Sequence, residues 1–300
     1  MKITPGLVGK WALVAAALAV GLVAYGSWVR VSGSGLGCPD WPLCHGKIIP
    51  ETRAAAIESG HRWFAAVTLL AVFFTAFLGF RMRRRFPRAS TLLSLSALLV
   101  VVQALLGAAV VLTKLHPMVR LVHLSLALTL IALLTVAAVG FLAGKEPSFR
   151  LVRPGWHLLP TAVSVVLLGG SIVASGTSFE CHGFPLCDQA SSTLGTALHS
   201  AHRLLGALLF LAAAFFALRL WRKGGFGNFS KVSAVAGVLL LLQLGIGIWL
   251  VATRLPVDLR VLHIGTAAAI WWALVGTWSL AAYQVSPRGA GRRPAKRRAR

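Results

Sequence analysis

Charge is scarce in this sequence, and acidic charge most of all. Only 12% of the 300 residues are charged, and seven of them are Asp or Glu. A soluble domain keeps about a quarter of its residues charged, so this shortage excludes an ordinary soluble globular protein. Hydrophobic residues make up 57% of the chain instead, which indicates an integral membrane protein.

Eight apolar runs are long enough to cross a bilayer core of about 30 Å, which takes roughly 20 helical residues. They cover residues 11–29, 62–80, 91–113, 119–143, 157–175, 197–218, 232–252 and 261–283. The runs predict an all-α membrane protein with eight transmembrane helices. The first run exceeds the roughly 7–15 residues of a signal-peptide core, so we expect it to be retained as a helix.

The net charge of +23 could indicate a nucleic-acid partner, but the distribution of the basic residues indicates a membrane topology. If the N-terminus is cytoplasmic, the segments on that side carry 21 of the 30 Lys and Arg residues. This asymmetry follows the positive-inside rule and predicts a cell-membrane protein with both termini in the cytoplasm. The basic tail, residues 286–300, is expected to lie beside anionic membrane lipid. No nucleic-acid partner is expected.

The chain repeats its own pattern at an interval of 140 to 143 residues. The related positions are Cys38 and Cys181, Pro42 and Pro185, Cys44 and Cys187, His61 and His202, Gln103 and Gln243, Gly107 and Gly247, Arg120 and Arg260, and His123 and His263. Each copy holds four apolar runs, so both copies enter the membrane from the same side. We predict two four-helix bundles, residues 1–145 and 146–285, related by a pseudo-two-fold axis along the membrane normal.

Four histidines occupy repeat-related positions near the outer end of the even-numbered spans: His61, His123, His202 and His263. Ionisable residues inside a span are costly and usually functional. Two imidazoles at similar depth on neighbouring helices can bind one heme iron from both sides. A hydrogen bond to a neighbouring helix would explain one such histidine, and zinc is disfavoured because no cysteine lies at this depth. The pattern predicts two heme sites, one in each half.

The two halves differ beside the first histidine of each pair. Glu58 precedes His61 by three residues, so both side chains lie on one helix face, whereas the matching residue of the second half is His199. A carboxylate beside a heme favours an acid–base or charge-stabilising role, and an interfacial residue in the first helical turn is the alternative. We expect the chemistry in the N-terminal half and electron transfer in the C-terminal half.

Arginines lie at the outer boundary of the same helices: Arg30, Arg62, Arg120, Arg203 and Arg260. Four of them form two repeat-related pairs, while Arg30 matches Val173. Heme propionates are one candidate partner for these side chains. The other is the membrane surface, which long cationic side chains can reach from inside the bilayer.

All four cysteines fall in the two predicted outer loops, each pair spaced as C-x5-C. An oxidising compartment and this spacing predict two local disulfides, Cys38–Cys44 and Cys181–Cys187. A structural role is favoured for the second pair, and a redox role stays open for the first because it adjoins the candidate catalytic half. The spacing differs from the C-x-x-C of thiol oxidoreductases, which disfavours disulfide exchange as the main function.

The run from Arg30 to Cys44, RVSGSGLGCPDWPLC, the block Glu58-x-x-His61-Arg62 and the four histidines resemble the heme A synthase family, in its cysteine-containing bacterial and archaeal type. The resemblance spans roughly residues 11–283. It implies a membrane enzyme of eight helices in two bundles, which oxidises the C8 methyl group of heme O to a formyl group and so gives heme A for terminal oxidases.

The resemblance also implies a role for each site residue. By similarity, His61 and His123 flank the substrate heme, Glu58 is catalytic, and His202 and His263 ligate a heme b cofactor. Heme O synthase is the implied partner that hands over the substrate, and a homo-oligomer is an open alternative to a monomer. Two rival functions remain: a di-heme electron-transfer cytochrome, and a heme or porphyrin transporter, since parallel repeats are common among carriers.

Overall fold

A computed structural model describes residues 2–146, 157–185, 187, 192–222 and 228–284. Within these residues the chain forms eight α-helices and one short 3-10 turn. The helices are α1 Pro5–Val31, α2 Arg53–Arg81, α3 Pro87–Leu112, α4 Pro117–Ala143, α5 Leu158–Ala174, α6 Thr193–Arg222, α7 Asn228–Ala252 and α8 Val257–Gln284. The 3-10 turn, Thr177–Phe179, follows α5. The predicted all-α class is confirmed.

Seven of the described helices are long and apolar enough to cross a bilayer. The remaining one, α5, is apolar but has 17 residues, and the residues just before it lie outside the described part of the chain. The prediction of a multi-pass membrane protein is therefore confirmed. The predicted basic tail, 286–300, also lies outside the described residues.

Helix α2 begins well before the apolar run that predicted it. The run starts at residue 62, whereas the helix starts at Arg53, with Thr52 as its N-cap. The Thr52 hydroxyl accepts a hydrogen bond from the Ala55 N–H at 3.2 Å, which satisfies one of the free donors at the helix start. Hydropathy detects long uninterrupted apolar runs, and the first turns of α2 mix alanine and isoleucine with Arg53, Glu58 and His61. Glu58 and His61 consequently lie on a helix and not in the preceding loop.

The helices contact one another in a regular order. In sequence order, α1 to α4 pack each against the next, and α4 also packs against α1. The helices α5 to α8 show the same contacts, with α8 against α5. Across these two sets, α1 and α4 contact α8, and α4 contacts α5. The contacts therefore place α1, α4, α5 and α8 side by side at the centre of the molecule.

Small residues allow α1 to pack closely in this centre. Ala12, Ala15 and Ala16 are fully buried, as expected where helix backbones approach each other inside a membrane. A methyl group on Gly265 of α8 would lie 3.2 Å from the Ala24 Cβ of α1. On the neighbouring contact, the Trp271 Nε1–H of α8 donates to the Leu128 carbonyl of α4 at 2.8 Å. These contacts join helices that are distant in sequence.

The backbone repeats its turns as the sequence repeats its residues. Lys114 and Leu115 have positive φ angles in the α3–α4 turn, and Arg254 and Leu255 have them in the α7–α8 turn. A positive φ is uncommon outside glycine, so its recurrence 140 residues later marks two turns of one shape. Both turns precede the helices that carry His123 and His263.

Candidate functional site

The four predicted ligand histidines lie on α2, α4, α6 and α8, each within the first three turns of its helix. The rings of His202 and His263 have centroids 6.3 Å apart and an interplanar angle of 61°. Because a metal–imidazole bond is about 2 Å, two rings on opposite sides of one metal ion have centroids roughly 6 Å apart. The spacing of this pair therefore fits two imidazoles that share one iron.

The ring of His202 is held by a neighbouring helix. Its Nδ1 lies 3.0 Å from the Val165 carbonyl of α5, and a carbonyl accepts, so Nδ1 carries the proton and donates. The other nitrogen, Nε2, then keeps its lone pair. This is the usual arrangement of a metal-ligating histidine, whose second nitrogen is fixed by a hydrogen bond.

The first histidine pair carries polar atoms without partners. The Nδ1 atoms of His61 and His123 are buried and have no hydrogen-bond partner in the described part of the chain. A buried polar group without a partner is rare and costly, and a ligand or a water that accepts from it removes the cost. The ring of Tyr25 lies beside His61, with centroids 5.8 Å apart. The two imidazoles and the Tyr25 ring fit an apolar ligand that carries a metal ion.

A glycine on the neighbouring helix makes room for each histidine ring. A methyl group on Gly26 would lie 3.1 Å from His61 Cε1, and one on Gly169 would lie 3.1 Å from His202 Cε1. A methyl group on Gly107 would lie 3.7 Å from His123 Cε1, and one on Gly247 would lie 3.5 Å from His263 Cε1. Each imidazole thus packs against bare backbone, which restricts the directions in which its ring can lie.

Two glutamines anchor the helices that carry the second histidine of each pair. Gln103 Nε2 donates to the His123 carbonyl at 2.9 Å, and Gln243 Nε2 donates to the His263 carbonyl at 3.1 Å. The repeat had shown these glutamines without indicating a role for them. A carbonyl inside a helix is already bonded, so the extra donor sets the position of the helix at the histidine.

Glu58 lies at the join between α2 and the first cysteine loop. It is 3% exposed. Its Oε1 pairs with Arg62 Nη2 at 2.6 Å, and its Oε2 accepts the Cys38 N–H at 2.9 Å. Both oxygens are therefore engaged, one by a cation and one by the loop. The carboxylate supplies a fixed negative charge, and each of its oxygens keeps a lone pair beyond the one hydrogen bond it accepts.

The side chain of Arg62 binds the backbone of the same loop. The guanidinium donates to the carbonyls of Asp40 at 2.8 Å, Leu43 at 2.6 Å and Cys38 at 3.0 Å. In the second half Arg203 donates to Gly183 at 2.6 Å and Pro185 at 3.2 Å. Sequence reasoning missed this role because it treated both arginines as candidate propionate contacts. Those contacts stay predictions, and they would compete with the loop carbonyls.

The residue that replaces Glu58 makes a different contact. His199 Nε2 lies 3.0 Å from the Thr177 carbonyl, so it donates to backbone before the second cysteine loop. It brings no fixed negative charge to that position. The difference in residue type that the repeat revealed is thus also a difference in charge and in bonding.

Each cysteine pair is joined within its own loop. Cys38 and Cys44 form a disulfide with Cα atoms 4.6 Å apart, and Cys181 and Cys187 form one with Cα atoms 5.2 Å apart. In the first loop, the backbone N–H groups of Gly46 and His45 donate to the Asp40 carboxylate. These bonds hold the pKa of Asp40 below its ordinary value, and the bond from Gly46 has the largest effect. Their contribution to the loop is present above the ordinary pKa and is lost as pH falls through the lowered one.

The three remaining arginines lie on helices that contact one another. Arg30 is in the last turn of α1, and Arg120 and Arg260 are in the first turns of α4 and α8. The Nε atoms of Arg120 and Arg260 are buried without a hydrogen-bond partner among the described residues. Cationic side chains with unused donors fit acidic groups of a ligand.

The chain matches known proteins over most of its length. The model of the cytochrome oxidase assembly protein family COX15-CtaA matches residues 9–59 and 52–275. A heme A synthase of Symbiobacterium thermophilum is 30% identical over 84% of this chain and 88% of its own length. A heme A synthase of Bacillus cereus is 28% identical over 85% of this chain and 87% of its own length.

A third relative agrees with these two. The heme A synthase of an Exiguobacterium species is 27% identical over 77% of this chain and 80% of its own length. The family resemblance indicated by the Arg30–Cys44 run and the four histidines is therefore confirmed. The matches extend through both sets of helices. The chain belongs to the COX15-CtaA family of cytochrome oxidase assembly proteins.

Proposed function

We propose that this protein is a heme A synthase, which oxidises the C8 methyl group of heme O to a formyl group. The heme A produced serves terminal oxidases. The family membership and the names of the relatives support the activity. The observation that carries it on this chain is the duplicated pair of buried histidines, of which His202 and His263 have the ring spacing of two ligands to one iron.

The proposed architecture is two four-helix bundles, residues 1–145 and 146–285, related by a pseudo-two-fold axis along the membrane normal. The matching order of helix contacts in the two sets supports it, as do the matching turns before α4 and α8. Both termini lie in the cytoplasm in this proposal, and the cysteine loops lie outside. The charge asymmetry of the sequence supports that orientation.

The histidine pairs take different hemes in this proposal. His61 and His123 flank the substrate heme O, and His202 and His263 ligate a heme b cofactor. The hydrogen bond from His202 to Val165 supports a permanently bound metal in the second half. The Nδ1 atoms of His61 and His123 have no such bond among the described residues, a difference that agrees with a resident cofactor in the second half and a substrate in the first. When bound, heme b supplies a one-electron carrier beside the substrate pocket.

Glu58 is the proposed catalytic residue of the first half. Oxidation of a methyl group removes electrons and protons and leaves the carbon electron-poor, so a fixed negative charge nearby stabilises it. Arg62 and the Cys38 N–H hold that charge in place. Each Glu58 oxygen accepts one of these bonds and keeps a further lone pair, so the carboxylate can accept a proton that leaves the substrate. His199 offers no such charge, which confines the chemistry to the first half.

The substrate arrives through the membrane in this proposal, handed over by heme O synthase, and homo-oligomers are compatible with it. A transporter would carry broken helices at mid-membrane depth. Here α2, α4, α6 and α8 each run unbroken across the described residues and carry their histidines near their N-terminal ends, which are the outer ends in the proposed orientation. This observation favours an enzyme that keeps its hemes at one depth.

Expression tests the proposal in a host that makes heme O but no heme A. Membranes containing this chain should acquire heme A, identified by the mass of the extracted pigment. Membranes containing the His61→Ala variant, at matched protein level, should keep heme O only. Heme O unchanged by the natural chain, with the protein present and heme-loaded, would contradict the proposed activity.

A further inference from the structure

Three arginines from both proposed halves meet at the outer side of the central helices. Arg30 ends α1, and Arg120 and Arg260 begin α4 and α8. These helices contact each other pairwise. The guanidinium of Arg30 is close enough to Arg120 and to Arg260 for both charges to act on it. The three side chains therefore form one group, which we call the arginine cluster.

Two members of the arginine cluster lie next to ligand histidines. Arg120 precedes His123 by three residues on α4, and Arg260 precedes His263 by three residues on α8. Residues three apart share one face of a helix. Each arginine thus lies one turn further out than a histidine, on the side that faces a heme pocket. The two arginines are related by the repeat and belong to different pockets.

Arg30 lies on the face of α1 that borders the first pocket. It follows Gly26 by four residues on α1, and Gly26 packs against the ring of His61. Arg30 therefore lies on the pocket side of α1, one turn further out than His61. Since α1 also packs against α8, the charge of Arg260 in the second half also acts on Arg30. Its counterpart in the repeat is Val173, so only the first half contributes such a bridge.

The arginine cluster has no acidic partner of its own among the described residues. The carboxylates that pair with basic side chains there are Glu51, with Lys47, and Glu58, with Arg62. Like charges held together at a membrane boundary repel, and the apolar surroundings strengthen the repulsion. The buried, unpartnered Nε atoms of Arg120 and Arg260 add to the cost. A bound anion would remove both costs.

We propose that Arg30, Arg120 and Arg260 form a single carboxylate-binding site shared by the two halves, which receives propionates of the hemes in both pockets. This inference rests on the proposed function, which supplies the two hemes. A heme held between two histidines would offer its propionates to the arginines that lie one helical turn from those histidines. Arg30 then joins the two pockets electrostatically, because it contributes to the first and lies beside Arg260 of the second.

The proposal has two measurable consequences. Heme O with free propionates should bind the first pocket more tightly than its dimethyl ester, by roughly tenfold to a hundredfold, as expected for charge-assisted hydrogen bonds. Removing the Arg30 charge should also act on the other pocket. The reduction equilibrium of the heme ligated by His202 and His263 should shift toward the oxidised form by about threefold to tenfold, since a nearby cation favours the reduced state.

The experiment compares the natural protein with Arg30→Gln and Arg30→Lys, all in heme b-loaded form. Affinity is measured for heme O and for its dimethyl ester, and the midpoint potential of the heme b is measured by spectroscopic titration. Lys114→Gln is the matched control, because it removes an exposed cation from the same side of the first half. We expect Arg30→Gln to lose most of the preference for the free acid and to lower the midpoint potential. Arg30→Lys should lie between, and Lys114→Gln should match the natural protein.

Equal affinity of the natural protein for heme O and its ester would overturn the proposal without any variant. A changed affinity in Arg30→Gln with an unchanged heme b potential would show that the site is not shared. A potential that responds to phosphatidylglycerol in nanodiscs, with no preference for the free acid, would identify a lipid phosphate as the occupant and overturn the assignment. None of these readouts needs turnover. The proposed function is tested by a different measurement, the formation of heme A, so a failure of one proposal can be told from a failure of the other.

Discussion

Glu58 and Arg62 form an ion pair across one turn of α2, with Oε1 2.6 Å from Nη2 and both side chains largely buried. The pair also binds the first cysteine loop, Glu58 through the Cys38 N–H and Arg62 through four backbone carbonyls. The candidate catalytic carboxylate is therefore connected to the disulfide loop by hydrogen bonds, both directly and through Arg62. A change in either should alter the position of the other.

Glu58→Gln is expected to stop turnover while leaving the fold and the heme content intact. Glutamine keeps the shape and can still accept the Cys38 N–H, but it removes the negative charge that offsets Arg62. We expect a loss of at least roughly 100-fold in the rate of heme A formation. The free energy of unfolding should fall by about 1–3 kcal/mol, because a buried charged hydrogen bond is lost. Heme A production and thermal unfolding of purified variants measure the two effects.

His199→Gln is the matched control for this prediction. It occupies the repeat-related position and contacts the Thr177 carbonyl, a bond that glutamine can also donate. Heme A formation should fall far less than in Glu58→Gln. Equal losses in the two variants, or full activity in Glu58→Gln, would contradict the confinement of chemistry to the first half.

The histidines of the second half should hold heme b independently of the first pocket. His202→Ala or His263→Ala removes one of two imidazoles whose ring spacing fits one iron. We expect loss of low-spin heme b, with heme O still bound by the first pocket. Absorption spectra and pigment extraction of each variant measure this. If both variants kept a full complement of low-spin heme b, the cofactor assignment would be wrong.

The two disulfides should differ in what their removal does. Replacing Cys181 and Cys187 by serine should lower thermal stability or yield more than specific activity. Closing so short a loop contributes about 2–3 kcal/mol by chain entropy. Replacing Cys38 and Cys44 should inactivate a protein that still holds heme, because the loop they close is bonded to Glu58.

Peptide mapping without reduction checks the pairing itself. The expected cross-links are Cys38–Cys44 and Cys181–Cys187. Free thiols in the isolated protein, or a Cys38–Cys181 link between the loops, would contradict this pairing. Full activity after loss of Cys38–Cys44 would show that Glu58 does not depend on the closed loop.

The sequence alone identified the residues that recur and could not identify how they are held. The histidines and cysteines were predictable because they occur twice at one interval. The role of Arg62 was not predictable, because a long side chain can point to a heme or to a loop some 20 residues away. Which of the two it contacts depends on the conformation of the folded loop. The Gly26 and Gly169 contacts were also missed, since a close approach between helices depends on their relative rotation. The repeat itself, with both glycines at matching positions, was the signal that could have found them.

Gly169→Ala should disturb the second heme site through His202. The added methyl group would lie 3.1 Å from His202 Cε1, so the ring must shift while its Nδ1 remains bonded to Val165. We expect a smaller low-spin fraction of the bound heme b. Gly245→Ala is the control on α7 of the same half, an exposed position where a methyl group would have no neighbour within 4 Å. That variant should be unchanged or more stable by about 0.4–1 kcal/mol. Identical heme spectra in both variants would show that the ring has room to move.

Identification of the pigments in the purified protein tests the central claim most directly. The hemes are extracted and their masses determined before and after incubation with heme O and an electron acceptor. A heme A synthase with one heme site in each half should contain heme b together with heme O or heme A, and should convert added heme O to heme A. A protein that holds heme b in both sites and leaves heme O unchanged would be a di-heme electron-transfer cytochrome, and that result would contradict the heme A synthase assignment.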